Sequence, residues 1–339
     1  MGEQHIKKIH KIVCISLVFF VFAFLTIRFL SVPHTVQQTE SAKTVRDPLT
    51  GVLVSSVEPL PQVFGVMIDE HVDARPQSGI DQAFLVMEAP VEAGIPRLLA
   101  FFTDKQEVKQ IGPIRSARPY FIDWISEFGA VYAHVGGSDE ALEKIKATNT
   151  FDANEYWNGT YYWRSSDRFA PHNTYTSTDL LKSFVEKKSE TSSRDSLSYG
   201  VWPFQDGSAN NVEQSFDVSY VQSGYVFSWH YNKTANMYDR FEGNVAAKTL
   251  DGVLVSANNV AVVVMDVDVI DQVGRRHIKT IGEGQGVLFQ NGVQKKMVWK
   301  KNSPKDRMRF YDENGSEVLM NAGKTWVEVV SDLSKLRVH

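Results

Sequence analysis

Three patterns of apolar and polar positions follow one another along the chain. The first is a continuous run. Lys7, Lys8, His10 and Lys11 precede "IVCISLVFFVFAFLTI", Ile12 to Ile27, and Phe29, Leu30 and Val32 extend it once Arg28 snorkels. That length suffices for one tilted transmembrane helix, and "TIRFLSVPH" offers no small-x-small cleavage site, so an uncleaved anchor is expected ahead of a signal peptide. Basic residues before the run, with no comparable cluster after it, place the amino terminus in the cytoplasm and the rest outside the cell membrane.

The second pattern mixes short apolar runs with helical spacing. After a polar stretch without periodicity to about residue 60, "VFGVMID", "AFLVME", "RLLAFFT" and "AVYAHV" read as strands. "FIDWISEF" sets Phe121, Trp124, Ile125 and Phe128 on one helical face, and "SDEALEKIKA" opens on a capping serine. From about Asn211 the period becomes two, in "YVFSWHY", "VAVVVMDV", "GVLFQNGVQKKMVWK" and "KTWVEVV", with Asn291-Gly292 and Asn314-Gly315 as hairpin turns. The expected fold class is α+β: an N-terminal mixed α/β domain, then a mostly antiparallel β-rich C-terminal domain, preceded by one transmembrane helix. The expected boundaries are a cytoplasmic tail 1–11, an anchor 12–32, a linker 33–60, an α/β domain 61–210 and a β-rich domain 211–339, with a polar surface excursion at "VEKKSETSSRDSLSYG".

Composition removes several functions. With 36 basic and 40 acidic residues there is no whole-chain field to draw in nucleic acid, which is not an expected partner. The single cysteine, Cys14, lies in the apolar run, which excludes a disulfide framework, a cysteine-rich zinc site and thiol catalysis in the globule.

Candidate chemistry concentrates in a few motifs. In "GPIRSARPYF", Arg115, Ser116 and Arg118 precede a proline suited to a first helical turn, where guanidiniums hold a phosphate or carboxylate, or pair with Asp69 or Glu88 as a structural clamp. In "HVGGSDEAL", Asp139 and Glu140 already complement the helix dipole, so Ser138 reads as an N-cap, while His134 stands at a strand end that can reach a cleft. Tyr156, Trp157, Tyr161, Tyr162 and Trp163 are either rings for stacking on sugars or a satellite cluster under a loop. Arg168 and His172 add a cation and an imidazole. His134 and His172 with Asp69, Glu88 or Asp73 lack any established metal-ligand spacing, so no metal or other cofactor is expected.

Taken together, "ARPQSG", "VMEAPVEAGIPR", "GPIRSARPYF", "HVGGS", "RFAPHNTYTS", "YDRFEG", "NNVAVV", "VWKK" and "GKTWVEVV" resemble the YerB-like lipoprotein family, a bacterial two-part domain of unknown function. The resemblance runs from about Pro48 onward and implies an extracytoplasmic protein with an α/β first part and a β-rich second part. Members are tethered through a lipidated cysteine, whereas Cys14 lies inside the apolar run without that context. Glu70 after Asp69 and Pro96 before Arg97 also depart from the family pattern.

The expected function is a membrane-tethered accessory or binding protein of the cell envelope. Its polar cleft would be formed by Asp69, Arg75, Glu88, Arg97, Arg115, Ser116, Arg118, His134, Ser138, Arg168 and His172, for an anionic or glycan ligand or an envelope protein. The alternative is a hydrolase of a wall ester or glycoside, with Glu88 or Asp69 as acid or base and His134 or His172 shuttling protons. Cations outnumber recognisable nucleophiles, which favours binding. Neighbouring arginines are expected to keep Glu88 ionised.

Overall fold

Strands that are apolar on both faces need a layer on each side, and this chain supplies both. The computed structural model describes residues 2, 4–16, 44–56, 59–189, 198–220 and 225–339. The unit from Thr44 onward is compact and begins ahead of residue 61, because strands 45–46 and 53–54 pair and Leu49 is buried. Residues 4–16 form a separate helical segment, and the rest of the expected anchor, like residues 190–197 of the polar excursion, lies outside the described residues. Among the described residues no helix is long and apolar enough to cross a membrane.

The central sheet has ten strands. From the first part come β1 (Val63–Asp69), β2 (Leu85–Pro90), β3 (Pro96–Thr103), β4 (Val131–His134) and β5 (Phe151–Asn154). Helix α1 (Pro119–Ser126) precedes β4, α2 (Asp139–Ala147) follows it, and α3 (Thr178–Ser189) comes after β5. The second part contributes a separate group, β6 (Phe216–Ser219), β7 (Val226–Asn232) and β8 (Met237–Glu242), and then β9 (Asn259–Val264), β10 (Gly282–Gln290), β11 (Val293–Lys301), β12 (Arg309–Tyr311) and β13 (Thr325–Val330). The sheet order is β12-β11-β10-β9-β13-β2-β3-β1-β4-β5, so the last long strand, β13, pairs parallel with β2 and the two parts share one sheet.

Local sequence explains several elements. Pro119 opens α1, whose Phe121, Trp124 and Ile125, with Phe128 just beyond it, are buried as the spacing predicts. Ser138 caps α2 by accepting from the Ala141 amide, as expected. Asn291 and Gly292 take positive φ of 56° and 78° in the two-residue turn joining Gln290 to Val293, the conformation that Asn-Gly favours.

Alternation then sorts the core. Met67, Met87, Leu99, Phe101, Tyr132 and Val327 face α1 and α2 on one side. Val66, Val86, Leu98, Ala133 and Trp326 face α3 and the antiparallel group of β6, β7 and β8 on the other. Buried ion pairs tie the second part to the helices: Glu127, at the end of α1, binds Lys301 of β11 at 2.9 Å and Arg307 at 2.8 Å.

Candidate functional site

The end of β1 delivers two consecutive carboxylates to opposite sides of the sheet, because side chains alternate along a strand. Asp69 follows Met67 to the side of α1, whereas Glu70 follows Ile68 to the other. Arg97 lies directly across from Asp69 and shares its side, and Glu88, one step from Met87, shares the side of Glu70. The polar residues expected in one cleft therefore form two separate centres.

On the α1 side, Asp69 is the hub. Its Oδ1 accepts from the His71 amide at 3.0 Å, and its Oδ2 meets His172 Nδ1 at 2.6 Å and Arg115 Nε at 3.1 Å. Arg118 is committed elsewhere, in a fork to Glu92 at 2.6 and 2.9 Å. Burial opposes ionisation of Glu92, but that fork outweighs it and holds the carboxyl below its ordinary value. Arg97 is buried and, among the described residues, has no carboxylate within ion-pair distance; its guanidinium donates from Nη1 to the Ser116 carbonyl at 2.7 Å, and Nε has no partner among them. Burial, then the like charges of Arg118 and Arg115, push its pKa down to about 10, with Asp69 opposing. The hydroxyl of Tyr132, a ring whose ionisation feels Arg97 and Arg118, is also buried without a partner. Among the described residues three guanidiniums thus face two carboxylates, leaving one buried positive charge and two donors without partners.

The remaining expected residues are structural in this geometry. His134 is saturated by the Gly136 carbonyl at 2.7 Å and Asp152 at 2.8 Å. Gly136 supports that turn with a φ of 59°, where a side chain would strike Tyr156. Ser138 is a cap, and Arg168 binds the carbonyls of Ala74 and Pro76, pinning the loop that carries His172 to the segment after β1. Of the loop aromatics, Tyr162 is buried, Tyr161 meets Phe184 and Trp163 stacks on Tyr175, while Trp157 is 78% exposed.

On the opposite side, Arg240 of β8, a residue sequence reasoning did not single out, binds Glu88 at 2.8 and 3.0 Å and Glu70 at 3.2 Å. Its guanidinium lies 3.9 Å from the Phe227 ring centre and 4.5 Å from that of Trp326, whose indole N–H donates to Glu88 at 2.9 Å. Arg75 joins this group through Glu70 at 3.3 Å and Glu242 at 3.2 Å. The expectation for Glu88 is corrected here. Arg115 and Arg118 lie across the sheet from it, and burial, against the pull of Arg240, pushes its carboxyl well above its ordinary value.

Glu70 gives this centre a pH signature. Burial raises its pKa from 4.5 to about 7, with Arg240 and Arg75 opposing. A raised carboxyl favours folding below the unfolded value of 4.5 and loses that contribution as pH rises through 7. Glu70→Gln is therefore expected to gain on wild type, by on the order of 3 kcal/mol, between pH 4.5 and 8. Urea unfolding across that range checks it; parallel curves would show that Glu70 titrates normally.

Comparison with known proteins follows the same two-part division. The family described as "Protein of unknown function (DUF3048) N-terminal domain" matches residues 49–192, and its C-terminal domain matches 216–327. The chain is 31% identical over 305 residues to "Putative lipoprotein YerB" of Bacillus subtilis, covering 87% of this chain and 88% of that protein. The crystal structure of YerB from Bacillus subtilis superposes with a TM-score of 0.78 at 29% identity, covering 87% of this chain and 99% of that one.

Proposed function

This chain belongs to the DUF3048 family, and on that premise we propose that it is a membrane-anchored, extracytoplasmic protein of the cell envelope that binds an anionic ligand beside Arg97. Residues 12–32 serve as a single-pass anchor with the amino terminus in the cytoplasm, taking the place of the lipid that the name of the relative implies. The observation that carries the binding function is Arg97, a buried cation without a carboxylate partner among the described residues, flanked by Arg115 and Arg118. Burying an unpaired charge is costly, and an incoming phosphate or carboxylate would balance it while accepting from Arg97 Nε and the Tyr132 hydroxyl. Arg115, partly open to solvent, would be first met from outside. An anionic envelope polymer supplies such groups in the right compartment.

The hydrolytic reading keeps one supporting observation, the Asp69 to His172 pair, which has the form of a base held by its orienting carboxylate. Among the described residues no serine, threonine or cysteine side chain hydrogen-bonds His172, and that favours binding.

The test uses the full chain. In intact protoplasts, external protease should digest the globule. Purified in detergent, the chain should be retained by phosphate-bearing wall polymer without releasing products. Arg115→Gln should lower retention at least tenfold, while the exposed Lys295→Ala should not. Protection of the globule in sealed cells would refute the placement, and unchanged retention in Arg115→Gln would refute the site.

A further inference from the structure

We propose that His71, Asp73 and His172 form a binding site for a divalent transition metal of the zinc class, with Asp69 as the carboxylate that orients His172. One ligand atom from each of the three side chains lies within 4.8 Å of the other two. His71 Nδ1 and Asp73 Oδ2 are 3.4 Å apart, close to the separation of two ligands that share one small cation. The imidazoles of His71 and His172 stack with centroids 4.9 Å apart and planes inclined by 21°, so the two rings already lie side by side.

The surroundings supply what a metal-binding imidazole needs. Nδ1 of His172 is taken by Asp69 at 2.6 Å, so Nε2 is the nitrogen left for a ligand, and the carboxylate fixes the orientation of the ring. Asp69 is itself fixed by Arg115 and the His71 amide. The two contributing segments are about a hundred residues apart in sequence, yet they are held together by that bond and by Arg168, which binds the carbonyls of Ala74 and Pro76. Prior positioning of this kind lowers the ordering cost of binding. His71 Nδ1 also accepts from the Asp73 amide at 3.2 Å, a long bond that ligation through this atom would replace.

The donor set selects the metal. Two imidazoles and one carboxylate suit zinc, cobalt or their neighbours and suit calcium or magnesium poorly, because those cations prefer oxygen ligands throughout. Three protein ligands leave a fourth position open, and the partial exposure of the site, 32% for the His71 side chain and 16% for that of His172, gives an exchangeable ligand access. Histidine-x-aspartate followed by a remote histidine is not a spacing that marks a metal site by sequence alone, since only folding brings His172 to the others.

The site is distinguishable from the anion site beside Arg97, because its probe is a cation alone. Full-length protein in detergent is titrated with Zn2+ by calorimetry and with Co2+ by visible absorption. One ion per chain is expected, with d–d bands of a nitrogen-containing low-coordinate site. His71→Ala and His172→Ala should each weaken binding at least tenfold. Asp69→Asn should weaken it about 10- to 100-fold, as loss of an orienting carboxylate does elsewhere. His71 lies on a partly exposed turn, so its variant tests the site even if Asp69→Asn fails to fold. Equal affinity for Mg2+ or Ca2+, no Co2+ bands, or Zn2+ binding unchanged in the double variant His71→Ala/His172→Ala would overturn the proposal.

Discussion

Arg240→Ala should cost the protein about 3–5 kcal/mol at pH 8, the largest loss expected from any single polar substitution in this fold. Arg240 is 2% exposed and gives two hydrogen bonds to Glu88 and one to Glu70. Without it, two buried carboxyls lose the cation between them, and the Trp326 indole N–H becomes the remaining side-chain donor to Glu88. The Phe227 and Trp326 rings also lose the guanidinium stacked on them. Because those carboxyls can escape by taking up protons, the loss should shrink at pH 5, and that dependence separates a stranded-charge effect from a cavity effect. Urea unfolding at both pH values measures it, and a loss below about 1 kcal/mol at pH 8 would mean that the cluster is not a clamp. Arg240→Met with Glu88→Leu and Glu70→Leu should recover much of the stability, since apolar groups of similar volume can replace a buried ionic cluster.

The position of that clamp explains its size. Arg240 lies on β8, in the antiparallel group, while Glu88 and Glu70 lie on β2 and just beyond β1, in the first part of the central sheet. The bonds therefore bridge segments more than 150 residues apart, and they sit beside the parallel pairing of β13 with β2 that makes one sheet of the two parts.

Local features of the chain were legible because local chemistry sets them. The proline before an i, i+3, i+4, i+7 apolar set specified α1, Ser138 with acidic residues after it specified the start of α2, and Asn291-Gly292 specified a hairpin. The candidate site was legible only in its ingredients. Asp69, Arg115 and His172 are picked out by type and are in contact, with Arg97 opposite Asp69 in the strand register, but Glu88, grouped with them, lies across the sheet. Strand parity contains that distinction, since Glu88 is an odd number of residues from Met87 and Ala89, which face α1. It is hard to use where both faces are buried, because "FLVME" is apolar at every position before the glutamate and gives no sign of which face meets which partners. Arg240 escapes notice for a different reason, since its strand buries one face and an arginine is not expected on it. It shares parity with Tyr238, and "YDRFEG" reads as a polar edge until the burial pattern of β8 shows both residues pointing inward.

Arg97→Met should do the opposite of Arg240→Ala and stabilise the ligand-free protein by about 1–2 kcal/mol. The two arginines are both buried, but Arg240 has carboxyl partners whereas Arg97, among the described residues, bonds only the Ser116 carbonyl. Burial depresses the pKa of Arg97 to about 10, which means that the fold disfavours its charged form. For a base the sign is that the penalty is present in full below pH 10 and is relieved only as pH rises beyond that toward the ordinary guanidinium value, so at neutral pH it stands at on the order of 3 kcal/mol. Removing it returns that amount less the hydrogen bond to Ser116, about 1 kcal/mol, and methionine fills most of the space left. Addition of ligand should then reverse the order. At a hundredfold excess over its Kd an anion adds about 2.7 kcal/mol to the wild type and little to the variant, which has lost the charge it binds. Thermal unfolding with and without phosphate-bearing wall polymer should therefore give curves that cross, with Arg97→Met more stable alone and the wild type more stable with the polymer. A variant that is several kcal/mol less stable without ligand would show that Arg97 is a structural cation, and equal stabilisation of both proteins would place the anion elsewhere; either result removes Arg97 from the site.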